Sequence, residues 1–553
     1  MSTKPTPFEI SDVFTDDYCE LDPLTATYMG VSGHDDRWTG FDPESIAARF
    51  GLARSASEAL KEQAGHEDPV QANAAKVMSA FLDERVRSYD RGNWVEDLNH
   101  IASPLQHMIG VFDLMPRSGS EAWANIVARL STIDQPMEGY RQTLQVGLDQ
   151  GRTVAARQVE SVITQAREVE AEDNRFADFP KDAAKSGGDQ EAVADAVENA
   201  RSACSRLADW LEAEYLPHAR PTDPVGQERY LEDLDQYLGM DIDPFETYQW
   251  GWSEVQRLLG ESTETARLID PDKSLAEVYE LLDNDPERSA PDRQTFIEFV
   301  QGLQDDALSK LSGTHFEVPD EIKTVTVNVA PPGGPLGAWY QAPSEDFSRP
   351  GSIWYAPGER ERLPYWGEVS TAYHEGFPGH HLQVGTATLL RDQLSRFHRL
   401  AIWYSGSGEG WALYAERLME ELGFLENPEW RLGYLNSQLF RAVRVVLDIG
   451  CQLELAIPED APMHAGETWS YDIGVDYMWK VAAQPHDMSE SEVKRYLGWW
   501  GQAIAYKVGE REILRIREDA EIAAGAEFDR ADFHRRMLEA GAIRLDHLRE
   551  VLI

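Results

Sequence analysis

The chain has 553 residues, with 51 Lys and Arg against 97 Asp and Glu, a formal charge of −46 and only three cysteines. So acidic a balance argues against binding to phosphate backbones, which depends on Lys and Arg displacing counterions, and against an anionic membrane surface. Apolar residues make up 42% of the sequence and there are 16 Trp, which is ample material for packed cores and excludes global disorder. The basic residues are mostly Arg. Cys19, Cys204 and Cys451 are widely spaced and form no CxxC pair, so neither a disulfide framework nor a thiolate metal site is expected. No apolar run reaches the roughly 18 residues of a membrane-spanning helix. The first residues, MSTKPTPFEISDVF, carry no apolar stretch behind their single Lys. A soluble, cytoplasmic protein is the expectation, with two to four domains or one large enzyme-sized body at roughly 100–200 residues per domain.

Most of the chain reads as helix. Residues 43–65, 120–170 and 190–215 carry apolar residues at three- and four-residue spacing, with good helix formers between them. Asp90–Asn93, Lys181–Asp189 and Pro221–Val225 read as breaks. Amphipathic helix resumes to about residue 312, interrupted at Asp283–Asp292. The stretch from 315 to 357 differs. Thr324–Ala330 (TVTVNVA) alternates β-branched and polar residues, and Gly337–Ala342 and Gly351–Ala356 are aromatic, β-prone runs, with a PPGGP turn at Pro331–Pro335. They predict a small antiparallel sheet set before a long helical C-terminal half. The strand at Gly351–Ala356, just ahead of the densest polar cluster, could pair an extended peptide along its edge. No repeat, P-loop, GxGxxG or GxSxG pattern occurs in a suitable context.

The polar cluster is Tyr373-His374-Glu375-Gly376-Phe377-Pro378-Gly379-His380-His381, with three of the 14 histidines beside a Glu. Neutral imidazole is the commonest zinc ligand, and a carboxylate next to a ligand can take the proton of an attacking water. HExxH sites work because residues i and i+4 share a helical face, but here position 378 is Pro. His374 and His380, six apart, are about 600° and 9 Å apart on an ideal helix, so the helix must bulge or break. Pro378 clashes with the carbonyl of residue 374, and Gly376 and Gly379 give the backbone freedom. His374 and His381 share a face but lie about 10 Å apart along the axis. Spacing leaves the second ligand open between His380 and His381. The competing reading is that these histidines cap or pack a kinked helix.

A second cluster follows at Gly406–Arg417 (GSGEGWALYAER), a helix start with Glu409 near its N-terminus and Glu416 two turns later on nearly the same face. A zinc held by two His needs a third protein ligand and keeps one position open, and Glu409 in its apolar setting can supply it. Solvated surface charge is the plainer reading of both Glu. For stabilising an oxyanion, Tyr506 is the candidate, against a packing tyrosine. Arg441 and Arg444 are candidates for a substrate carboxylate, although Arg444 and Asp448 also have the spacing of a helix ion pair.

HEGFPGHHLQ, EGWALYAE, RAVRVVLDIG (441–450) and GQAIAYKVG (501–509), taken together over about 355–520, resemble the bacterial family known as domain of unknown function 885. That family is similar in fold to the carboxypeptidase Taq zinc peptidases. The resemblance implies a mainly α fold, a large helical body with a central groove and a small β-insert, in which 1–312 forms part of the groove and 313–553 carries the insert and metal region, as one compact unit. It implies one zinc ion on His374, His380 and Glu409, with Glu375 as base. The carry-over falls on Glu409 because a Glu opens the corresponding helix of those peptidases and a second Glu follows seven residues later. Two residues are inserted relative to their HExGH motif. Their DxGxH reads Asp448-Ile449-Gly450-Cys451-Gln452 here, which leaves no histidine at 452. The expected function is a zinc-dependent hydrolase, a metallopeptidase acting on peptide or small amide substrates, with no nucleic-acid or membrane partner. The alternatives are a metal-dependent hydrolase of a small-molecule amide and a non-catalytic helical binding protein with a degenerate metal site.

Overall fold

The computed structural model describes residues 4–330, 337–358, 360 and 362–553; the turn expected at Pro331–Pro335 lies outside them. The fold is mainly α with a small sheet. It divides into two compact units, residues 1–223 with Ser395–Ala401, and Pro224–Leu394 with Ile402–Ile553. Residues 224–312 thus share a unit with the metal motif, whereas the sequence placed a boundary at 312/313. The reason is visible in the packing: helix Pro244–Ile269 lies along helix Pro428–Gln452.

The first unit is a helical assembly. Helices Pro43–Lys61 and Pro69–Asp90 pack on each other. Each begins with an Asp whose side chain accepts from backbone N–H groups of the first turn, followed by Pro at the first helical position. The periodic stretch 120–170 forms three helices, Ser120–Thr132, Asp134–Asp149 and Ala156–Glu170, the last two separated by a turn at Gly151, whose φ of 68° suits glycine. With Gln190–Trp210 they enclose a core that includes Trp123, Leu130, Tyr140, Leu144, Val162 and Leu207. All three cysteines are buried, and none is in a disulfide among the described residues.

In the second unit we label α1 (Pro244–Ile269), α2 (Arg293–Leu311), β1 (Thr326–Val329), β2 (Gly337–Gln341), β3 (Ser352–Ala356), α3 (Glu368–Glu375), α4 (His380–Leu389), α5 (Ser405–Glu421), α6 (Pro428–Gln452), α7 (His486–Gly498), α8 (Ala505–Ala524) and α9 (Arg530–Glu539). The three strands form where the sequence places them, but the sheet is mixed rather than antiparallel. β3 is central, parallel to β1 and antiparallel to β2. Both edges of β3 are therefore occupied, and the run Gly351–Ala356 cannot receive a peptide by edge pairing. Among the described residues no helix is long and apolar enough to cross a membrane.

Candidate metal centre

The site is built where α3 stops and α4 starts. α3 ends at Glu375, Gly376 and Gly379 adopt non-helical ψ angles of −137° and −127°, the Phe377–Pro378 peptide is cis, and α4 begins at His380. The turn is stitched from several directions. Gly379 N donates to Tyr373 O at 3.0 Å and His381 N to Gly376 O at 3.2 Å. From α2, the Gln304 amide donates to Ala372 O and accepts from Phe377 N, both at 2.7 Å. From α5, Trp411 Nε1 donates to Pro378 O at 3.0 Å. Gly379 is dictated by close approach: a Cβ there would lie 2.0 Å from His374 O.

This break folds His374 and His380 toward each other, with ring centroids 4.9 Å apart and planes at 85°. Glu409, in the first turns of α5, faces both. Its Oε2 lies 3.4 Å from His374 Nε2 and 3.2 Å from His380 Nε2. One ligand atom from each of these three residues falls within 4.8 Å of the others. Ligands of a tetrahedral zinc, each about 2.0–2.1 Å from the ion, sit about 3.3–3.4 Å apart. The two imidazole–carboxylate separations match that spacing, and two His with one carboxylate is a donor set that catalytic zinc uses. The residues fit the ion.

His381 is excluded from this set. Its Nε2 donates to Ile322 O at 2.8 Å, so its Nδ1 accepts from the Tyr340 hydroxyl of β2 at 3.0 Å. Burial pushes its pKa down to about 4, keeping the ring neutral. The break turns His380, and not His381, toward Glu409.

Electrostatics bind the cluster together. Burial alone would lower the His374 pKa, but hydrogen bonds to Glu409 and Glu416 overcome it and lift the value to about 9. Burial would raise Glu409, and the two imidazoles instead hold it far below the usual carboxylate range. Glu375, next to His374, is 8% exposed.

Glu416 is the participant that spacing placed on the right face without giving it a role. It is fully buried, and its Oε1 lies 2.7 Å from His374 Nδ1. Ser370 and Ser437 donate to its Oε2, the latter at 3.2 Å. His380 has a weaker counterpart in Gln383, whose Oε1 is 3.4 Å from Nδ1. The seven-residue separation from Glu409 was the available signal.

Tyr506 stands beside the cluster, its ring nearly parallel to His374 with centroids 6.3 Å apart. α5 and α8 approach closely enough to bring it there because they meet at glycines: a Cβ on Gly410 would lie 2.6 Å from the Gly509 carbonyl carbon. Burial and the nearby Glu409 raise the Tyr506 pKa, partly offset by the positive charges of Arg495 and Arg444. Arg444 is not placed to read a substrate. It is 4% exposed, donates from Nε to Tyr496 and from Nη2 to Glu492, both at 2.8 Å, and lies over the Phe440 and Tyr506 rings. Nor does it pair with Asp448, which accepts from Gly501 N at 2.9 Å. Arg441 is partly exposed and donates to Ser437 Oγ at 2.6 Å.

Two solved structures share this fold. One is described as "the putative lipoprotein from Colwellia psychrerythraea": 23% identity, TM-score 0.85, covering 99% of this chain and 98% of that one. The other is "a putative lipoprotein of unknown function from Shewanella oneidensis": 18% identity, TM-score 0.72, covering 99% of each chain. No curated protein matches the chain. The family profile described as "Bacterial protein of unknown function (DUF885)" matches residues 23–552, nearly the whole length and well beyond the motif-bearing half. The chain therefore belongs to the DUF885 family.

Proposed function

We propose that the protein is a zinc-dependent peptidase of the carboxypeptidase Taq type, with His374, His380 and Glu409 holding the ion. The observation that carries this reading is the convergence of two imidazole nitrogens on one carboxylate oxygen, at 3.4 and 3.2 Å, immediately beside a further carboxylate, Glu375. When bound, zinc supplies Lewis acidity to the scissile carbonyl and to the attacking water. Glu375 takes the proton of that water on a carboxylate oxygen and returns it to the leaving amine. Tyr506, whose ring stands beside His374, donates to the oxyanion as it develops.

The test is a peptide-library digest with the zinc-loaded protein and its Glu375→Gln variant. The variant is expected to keep about one equivalent of zinc and lose about 10²–10⁴-fold in turnover. Full activity in the variant removes this mechanism. Cleavage of small amides with no cleavage of peptides moves the activity to small-molecule substrates, and absence of zinc binding leaves a helical binding protein.

A further inference from the structure

We infer that Glu416, Ser437 and Arg441 form an outer relay that sets the zinc affinity of His374, so that Arg441 acts from behind the metal centre rather than on substrate. The inference rests on the reading of His374, His380 and Glu409 as a metal centre.

Burying a carboxylate costs several kcal/mol unless it is paired and its lone pairs are used. Glu416 is fully buried. Among the described residues its ion-pair partner is His374, at 2.7 Å from Nδ1. That contact holds a proton on Nδ1 and so leaves Nε2, the nitrogen facing Glu409, as the one free to give its lone pair to zinc. The other oxygen of Glu416 accepts from Ser370 and Ser437.

Arg441 determines which way the Ser437 hydroxyl points. A hydroxyl has one proton and two lone pairs. Arg441 Nη1 donates into Ser437 Oγ at 2.6 Å, so the single hydroxyl proton is left for Glu416 at 3.2 Å. Arg441 has no carboxylate within ion-pair distance among the described residues, in a chain where acids outnumber bases nearly two to one. Its charge is directed through Ser437 to Glu416. His380 has no equivalent: Gln383 is neutral and stands 3.4 Å away.

Zinc affinity of the full-length protein, measured by chelator competition, tests the relay. Glu416→Gln should weaken zinc binding about 10–100-fold. Ser437→Ala and Arg441→Gln should weaken it in the same direction by smaller factors, and Arg441→Lys should recover part of the loss. With saturating zinc, Arg441→Gln should leave KM for peptide unchanged. Thermal unfolding of each metal-free variant identifies any that fail to fold, and the Ser437→Ala hydroxyl deletion serves if Glu416→Gln does. Wild-type zinc affinity in Glu416→Gln and Ser437→Ala overturns the relay. So does an Arg441→Gln variant with unchanged zinc affinity and a raised KM, the signature of a substrate contact. A wild-type protein that takes up no zinc defeats the metal centre itself and is a separate result.

Discussion

The buried histidines differ in what faces their ring nitrogens. His374 and His380 face carboxylate and amide oxygens, and His381 faces a carbonyl and a phenol. His534, in α9, faces the Tyr414 hydroxyl at 2.7 Å. Arg517 donates to that same phenol oxygen at 3.2 Å, which leaves the Tyr414 proton for His534 Nε2. Burial, reinforced by Arg530 and Arg517, pushes the His534 pKa from 6.5 down to about 3. Across that interval the unfolded chain holds a proton on this ring that the folded chain does not. Stability from His534 is therefore complete above about pH 6.5 and is lost as the pH falls toward 3, by at most about 1.4 kcal/mol per pH unit. Urea midpoints followed between pH 7 and 4 should fall less steeply in His534→Gln than in the wild type. Parallel curves would show that this ring does not titrate as described. At this scale the sequence carried much of the site: His374, Glu375, His380 and Glu409 stand out because metal-ligating types are dense there. The choice between His380 and His381 was not readable, because it depends on the dihedral angles of four residues. Glu416 was placed on the face of Glu409 without a role, because spacing does not show which buried group it meets.

The interrupted helix is the element on which the site depends. Helical periodicity separates His374 from His380, and the break cancels that separation. Gly379→Ala tests it. A methyl group 2.0 Å from His374 O cannot be accommodated without moving the carbonyl end of α3. Overpacking of this kind costs about 1–3 kcal/mol or more. The expected outcome is a lowered Tm together with weakened zinc binding, since the ligand-bearing residue itself is displaced. Unchanged zinc affinity in a well-folded Gly379→Ala protein would mean that the turn does not position His374. Strand positions were legible from β-branched and aromatic runs. Their order was not, because the runs do not show which strand takes the centre; in the fold β1 packs on α2 and β2 on α3, with β3 between them.

At the scale of the whole chain, the charge of −46 opposes compaction through self-repulsion. Raising KCl from about 0.1 to about 1 M shortens the screening length from about 10 to about 3 Å. Tm should therefore climb with KCl before any specific ion effect enters, and a flat or falling Tm over that range would show that local ion pairs already neutralise the repulsion. The division at 223/224 coincides with the Pro221–Val225 break, which read as one of several helix breaks because the packing of α1 along α6 leaves no local mark. The Gln304 clasp gives that packing a practical meaning. The amide that ties down both ends of the His374 turn comes from a residue about seventy positions upstream, in a helix with none of the recognisable motif. Excising the motif-bearing segment from 313 onward would leave every ligand in place and remove the splint that holds them in alignment.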